Sequence, residues 1–438
     1  MQDKNNSDPL VVGLAGFGTV GKGFARILEE NQAEIFRRAG REIRIKKVLV
    51  RDVTRARTQA LPPGASFCAD MDELAHDRDI DVLIELIGGI EQAERIIRQA
   101  LDAGKHVVTA NKALLAEQGE ELFALAARKK LFLGYEASVC GGIPVVQTLR
   151  ESLAANRLTS ILGILNGTCN YILSAMTTRN MPFAEALKEA QDLGYAEADP
   201  GLDIDGVDSA HKLALLIRLA WGVNYPFRKL PVSGIRDITP EDIMFAREFG
   251  YNIKLLGHAY MENDRIEAGV FPTLVPNSYL LARVGHSYNA VRMEGNAVGS
   301  LFMHGLGAGE LPTGSAVAAD LLEIARGGKA NNRGYTSGAL PAADILPPET
   351  ASARHYFRLT VEDKPGVMRD VASIFADNDI SIHQVLQKGQ SRTVPLVFMT
   401  HKAKALDIQN AAKAIAGCAF ASAAPVYYRV LPPPGGTD

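Results

Sequence analysis

The chain has 438 residues, 47% hydrophobic and 22% charged, and at about 150 residues per domain that length predicts roughly three folding units. Forty-seven basic side chains against fifty acidic ones leave a formal net charge of -3, so no whole-chain positive field exists to hold nucleic acid or an anionic membrane. Four scattered cysteines without a Cys-x-x-Cys, and nine histidines without a His-Glu-x-x-His, argue against a disulfide scaffold and a transition-metal enzyme; the polar start and the lack of an apolar run of about eighteen residues predict a soluble, cytoplasmic protein.

From Leu10 the pattern is a strand, LVVGLA, a Gly-rich turn, one long helix over residues 22–40, and a strand ending Val50-Arg51-Asp52. The alternation continues through the strand VLIEL, a helix over Glu91 to Ala103, the strand HVVTA, a helix from Lys112 to about Lys130 and the strand LFLGYEA. Five strands by residue 137 predict an α/β fold, a Rossmann-type doubly wound parallel sheet. After Gly141-Gly142-Ile143-Pro144 the texture changes: a helix, the strand SILGILNG, helices over Asn170 to Leu193 and Asp205 to Trp221, then β-rich runs such as NIKLLGHAYME and RIEAGVFPTLV. These predict a mixed α+β domain over 138–304 for substrate and oligomerisation. Residues 329–350, rich in Gly, Pro, Asn and Ser, read as a linker, and 351–431 as a ferredoxin-like βαββαβ unit. The tail beyond Leu431 is expected to fray. The nucleotide domain is read as 10–137 plus about 305–328, because the helix after the second Gly-rich turn, Gly305 to Gly309, is free to return to the first sheet.

Gly16-Phe17-Gly18-Thr19-Val20-Gly21 follows a strand and opens a helix, the context of a dinucleotide site: Gly16 allows the tight turn, Gly18 the approach of a pyrophosphate, and the helix N-terminus supplies N–H groups. Arg51 at the end of the second strand either pairs with a ribose 2′-phosphate, which favours NADP over NAD, or simply faces solvent. Gly88 and Thr109 end two further strands, and Lys112, after the helix cap Asn111, points into the same crevice or is an exposed first-turn lysine. Between Glu197 and Asp208 lie five carboxylates, the others being Asp199, Asp203 and Asp205, and the spacing is not that of an EF-hand. The helix that follows is apolar nearly all round. Lys212 at its entrance therefore sits near a core, four residues from Asp208 on the same face. The alternative is an ordinary surface pair worth a few tenths of a kcal/mol, but a desolvated lysine beside a carboxylate is how a protein makes a group able to exchange a proton near neutral pH.

The segments GFGTVG, GKHVVTANK, YEASVCGGIP, GILNGTCNYIL, LGYAEADPGLDIDGVDSAHK and GLGAGELPT resemble those of homoserine dehydrogenases, in the same order, and the resemblance runs from about Val11 to Val430. The C-terminal unit, with Asp363-Lys364-Pro365-Gly366-Val367 at its first turn, is similar to an ACT domain. The resemblance implies an NAD(P)-dependent oxidoreductase interconverting L-homoserine and L-aspartate 4-semialdehyde, on the route to threonine, methionine and isoleucine. It implies Lys212 as general acid/base, Asp208 as its orienting partner and a substrate contact, Glu197 at the substrate amino group and Lys112 at the reacting oxygen. It assigns Gly194, Gly309, Lys105 and the first Gly-rich turn to the cofactor. It also implies a monovalent cation, sodium, held by the Glu136 side chain and the carbonyls of Val139, Gly141 and Ile143. Cys140 stands where many members have Gly, which restricts that loop.

The competing readings are another NAD(P)-dependent amino-acid or aldehyde oxidoreductase, and a non-catalytic amino-acid sensor; the presence of Lys112, Asp208 and Lys212 argues against the sensor. Threonine is the expected effector at the ACT domain, and unpaired strand edges predict a homodimer or homotetramer.

Overall fold

The apolar run Leu10–Ala15 forms β1, buried along its whole length, at the centre of a six-stranded parallel sheet. Its companions are β2 (Ile43–Leu49), β3 (Ser66–Cys68), β4 (Val82–Glu85), β5 (His106–Thr109) and β6 (Leu133–Gly134), in the order β3-β2-β1-β4-β5-β6. The architecture is a computed structural model describing residues 8–55, 61–328, 334–336, 339–389 and 391–433. The order reverses between β1 and β4, which is where such a sheet opens a crevice beyond its carboxyl ends. The sheet holds one strand more than the sequence pattern predicts: β3 is only three residues long and follows Pro62-Pro63-Gly64, too short to show a period. The long first helix is in fact two, Thr19–Glu30 and Gln32–Ala39, broken at Asn31.

By packing, the chain divides into two units, one of Met1–Leu158, Ala210–Lys229 and Asn289–Ala343, the other of Thr159–Ser209, Leu230–Tyr288 and Asp344–Asp438. These cut the chain at other places than the functional boundaries read from the sequence. In the first unit the late helix Glu310–Ala325 lies against Thr19–Glu30 so closely that a Cβ on Gly23 would stand 2.2 Å from the Glu310 carbonyl oxygen, and one on Gly314 2.8 Å from the Phe24 nitrogen. Glycine at both positions is what lets Ala316, Val317, Leu321 and Ile324 enter the same core as Val12, Leu14 and Phe24.

Further along the chain lie β7 (Leu158–Ile164), β8 (Tyr251–Glu262), β9 (Arg265–Pro276), β10 (Tyr288–Gly295), β11 (Gly299–Leu306), β12 (Ser352–Glu362), β13 (Ile382–Gln387), β14 (Thr393–Thr400), β15 (Ala403–Lys404) and β16 (Val426–Val430). In the second unit seven of them run β7-β8-β9-β16-β12-β14-β13. β8 and β9 form a hairpin of twelve-residue strands. Asn263 and Asp264 turn it with φ of 49° and 64°, the positive values that match the twist of the flanking strands. The C-terminal segment has the expected βαββαβ order, with helices Val367–Asp377 and Ala405–Ala416 packed on a core that includes Phe357, Phe375 and Phe398. Its last strand, β16, pairs antiparallel with β12 and also parallel with β9, Arg429 opposite Thr273 and Val430 opposite Leu274.

The segment read as a linker, 329–350, falls partly outside the described residues, as does the tail 434–438. Its described part is not a loose tether. In the first unit the Asn224 amide donates to the Pro341 carbonyl at 2.7 Å; in the second, Ile266 and Leu346 exchange backbone bonds with the same stretch, Ile266 to Asp344 at 2.8 Å and Leu346 to Ile266 at 2.9 Å. Among the described residues no helix is long and apolar enough to cross a membrane, and no group of three or more His, Cys, Asp or Glu side chains is arranged to hold a metal ion.

Candidate active site

In the first unit the turn after β1 is shaped by its glycines. Gly16 has φ of 102°, and a Cβ there would meet the Leu86 carbonyl oxygen at 2.7 Å; a Cβ on Gly21 would lie 2.5 Å from the Gly16 oxygen. Gly18 differs: a Cβ there meets nothing within 4 Å. Two glycines are required by the fold, whereas the third leaves open space at the N-cap of Thr19–Glu30, whose first turn carries no acidic residue. Phe17, Thr19 and Val20 fill the turn between them, and the free N–H groups of the helix start suit a pyrophosphate. Arg51 is exposed just past β2, while the Asp52 carboxylate accepts the Thr54 amide at 2.8 Å and its hydroxyl at 2.7 Å.

The carboxyl ends of β4 and β5 are tied by a residue that sequence reasoning passed over. Glu85 is fully buried, and its carboxylate accepts the Ile87 and Gly88 amides at 2.9 and 3.1 Å and the Thr109 hydroxyl at 2.6 Å. Burial outweighs those bonds and raises its pKa. Thr109 Oγ1 accepts the Asn111 amide at 3.0 Å, and Asn111 then donates to the Gly89 carbonyl at 2.6 Å and caps the Leu114 amide at 3.1 Å. This network fixes the start of the helix Lys112–Lys129 and hence the root of Lys112. A charged residue ending an otherwise apolar parallel strand was the available signal.

Lys105 is the clear correction. It precedes β5, at the amino edge of the sheet, where its buried ammonium donates to the carbonyls of Ile80 at 2.8 Å and Asp77. That edge is opposite the crevice, so the cofactor role expected for Lys105 is withdrawn.

The helix Val207–Trp221 carries Asp208 and Lys212 one turn apart, 7% and 8% exposed. A surface pair is thereby excluded. Further along, the His211 imidazole lies 3.2 Å from Glu117 and the Arg218 guanidinium 3.0 Å from Glu120. Both pairs progress in the same sense along the helices Val207–Trp221 and Lys112–Lys129, so the two helices run alongside each other with their amino ends on one side. Lys112 stands five residues before Glu117, roughly 7–8 Å along the axis.

In the second unit the five carboxylates separate by role. Asp199 accepts the Gly201 amide at 3.1 Å, and Asp205 pairs with Arg236 at 2.9 Å. Asp203 and Asp208 are held together by Asn166, whose Nδ2 donates to both at 2.7 and 2.8 Å while its Oδ1 caps the helix Gly167–Arg179 through the Cys169 amide at 2.8 Å. Glu197 remains exposed, in a loop with Gly194 (φ of 75°) that the Thr168 hydroxyl holds by the Tyr195 carbonyl at 2.6 Å. The Asn166 bridge and the part of Asp203 were missed, because residues 42 apart show no pattern.

In the loop after β6, the Glu136 carboxylate accepts the Val146 and Gln147 amides at 3.0 and 2.7 Å; burial raises its pKa to about 7 despite them. The Ile143 carbonyl accepts the Val145 amide at 2.7 Å. Cys140, buried with φ of 57°, precedes Gly141 with φ of 47°, and among the described residues no backbone amide donates to the carbonyls of Val139 and Gly141. Gly309 caps the helix Glu310–Ala325 with φ of 122°.

The homoserine dehydrogenase family model matches residues 144–322, the homoserine dehydrogenase NAD binding domain 16–136 and the ACT domain 355–420. A homoserine dehydrogenase of Neisseria gonorrhoeae is 43% identical over 415 residues, covering 93% of this chain and 95% of that protein. The chain belongs to the homoserine dehydrogenase family. The enzyme of Pseudomonas aeruginosa is 41% identical over 416 residues, 93% of this chain and 95% of its own. A crystal structure of a homoserine dehydrogenase from Thiobacillus denitrificans superposes with a TM-score of 0.91 at 41% identity, covering 97% of this chain and 99% of that one. The chain is thus an oxidoreductase of that family, with a Rossmann-type nucleotide domain, a mixed-sheet domain and an ACT domain.

Proposed function

We propose that the chain catalyses reversible hydride transfer between L-homoserine and L-aspartate 4-semialdehyde, with Lys212 as general acid/base. The observation that carries the reading is the burial of Asp208 and Lys212 one turn apart at the start of a single helix, with Asp208 held by Asn166. The bound nicotinamide supplies the hydride acceptor or donor at C4. Lys212 Nζ takes the proton of the C4 hydroxyl in oxidation and returns it to the carbonyl oxygen in reduction, while Asp208 orients the ammonium and contacts the substrate. Glu197 receives the substrate amino group, a contact that an analogue without the amine leaves unmet. Lys112, its root fixed by the Asn111 cap, polarises the reacting oxygen. Lys212→Ala abolishes turnover, followed at 340 nm, and leaves NADPH binding intact; near-normal turnover in that variant would sink the assignment.

Gly16 to Gly21, Gly88, Thr109, Gly194 and Gly309 are the cofactor contacts in this reading, and NADP is favoured because Arg51 is exposed while Asp52 is engaged by Thr54. The carbonyls of Val139 and Gly141, without amide donors in a buried loop, support a hard monovalent cation such as sodium; Glu136 and Ile143 would share their oxygens between it and backbone amides. The ACT turn around Asp363 is proposed to bind threonine. Addition of L-threonine then slows the full-length enzyme, and Asp363→Ala removes the response without altering unregulated turnover. The protein is placed in the cytoplasm, as a homodimer or homotetramer.

A further inference from the structure

On β8, Lys254 is 6% exposed, and its ammonium donates only to neutral oxygens, the Asn170 side chain at 3.1 Å and the Val284 carbonyl. Among the described residues it forms no ion pair. Burial alone pulls its pKa down to about 8, the mark of a charge to which the fold supplies no counter-ion. An unpaired buried charge is costly, so folds rarely keep one without a partner.

Lys254 lines a cavity of about 450 Å³ whose wall also includes Arg179, Arg283, His286, Ser174 and Glu189. The one carboxylate there is already committed: Glu189 takes the Arg179 guanidinium at 2.9 Å and the Tyr171 hydroxyl. Among the described residues, Lys254 and the exposed Arg283 are left as positive charges without a carboxylate partner on the same cavity. The Ser174 hydroxyl is buried on the wall, also with no hydrogen-bond partner among the described residues. An ammonium, a guanidinium and an unused hydroxyl around one space of this size are the donors that an oxyanion takes, and none of them belongs to the residues given roles in turnover.

We propose that this cavity of the second unit is a binding site for a small oxyanion, a phosphate or carboxylate group, which completes the charge of Lys254. The site also touches the catalytic reading indirectly. Asn170, which receives the Lys254 ammonium, lies one turn beyond Asn166 on the helix Gly167–Arg179.

The test is equilibrium dialysis of the full-length protein with labelled inorganic phosphate at constant ionic strength set by chloride. Saturable binding is expected. With the nucleotide site saturated by NADPH, Lys254→Met and Arg283→Ala each weaken it about tenfold or more, the scale of one charge-assisted hydrogen bond, and Arg265→Ala, an exposed arginine outside the cavity, leaves it unchanged. Arg283 is exposed, so that variant reads the site even where Lys254→Met fails to fold. Competition by succinate identifies a carboxylate as an acceptable ligand and its absence restricts the site to phosphate; either accords with an oxyanion site. Absence of saturable binding, binding that survives both cavity variants, or binding lost with Arg265→Ala overturns the proposal.

Discussion

Replacing Gly18 by Ala asks whether the turn Gly16–Gly21 is shaped for a ligand or for the fold alone. Its φ of -83° is ordinary for an L residue, and the added Cβ meets no atom within 4 Å. An Ala at an N-cap loses about 0.5–1 kcal/mol against Gly, and the stiffer unfolded chain returns about 0.4–1 kcal/mol, so the net stability change stays under about 0.5 kcal/mol. The methyl does, however, occupy the space through which a pyrophosphate would approach the helix N–H groups. Loss of one such charge-assisted bond, worth about 1.5–3 kcal/mol, weakens NADPH about ten- to a hundredfold. Gly21→Ala provides the contrast. Its Cβ stands 2.5 Å from the Gly16 oxygen, roughly an ångström inside contact, so stability falls by about 1–3 kcal/mol. Urea unfolding and fluorescence titration with NADPH measure both quantities for both variants. Undiminished NADPH affinity in a folded Gly18→Ala protein would refute the reasoning, as would equal loss of stability in the two.

Arg51→Ala should raise KM for NADP about tenfold and leave that for NAD nearly unchanged; parallel changes in both would remove the 2′-phosphate role. Lys105→Met should lower stability by about 1–3 kcal/mol, because two carbonyls lose a buried donor, while KM for either nucleotide stays put; a selective loss of nucleotide affinity would restore the discarded cofactor role. Glu267, on β9, gives a pH test. Burial raises its pKa, but His258 and the Arg429 guanidinium at 2.6 Å hold it down to about 2. The carboxylate therefore contributes stability above the unfolded value near 4.5, lost as pH falls through about 2, on the order of 3 kcal/mol. Glu267→Gln should flatten that part of the acid-unfolding curve, and an unchanged slope would mean the contribution lies elsewhere.

Much of the fold is legible because it follows from period and punctuation. The fully buried parallel strands read as continuous apolar runs, and the β8–β9 hairpin announces itself by two β-rich runs around Asn263-Asp264. What escapes is short or distant. β3 has three residues, and the break at Asn31 leaves helix-favouring residues on both sides. Lys105 went astray for a different reason: its place in the segment GKHVVTANK suggested the site, but the four-residue strand β5 separates the two edges of the sheet, and only Lys112 stands at the carboxyl one. For the candidate site, the glycines, Lys112, Asp208 and Lys212 carry local signals. Glu85 and Asn166 act through partners 24 to 42 positions away, which no spacing rule reaches.

The parallel pairing of β16 with β9 makes the ACT unit part of a sheet rather than a bead on a string. Arg429 and Glu267 form the side-chain link across that seam, so a change of twist in the ACT strands would be felt by β9. It also means that shortening the chain at residue 350 would do more than delete one domain. The outer edge of a twelve-residue strand would be stripped of its neighbour and its arginine at once, leaving exposed N–H and C=O groups ready to pair with another chain, so the part played by the ACT unit is better dissected by single substitutions than by truncation.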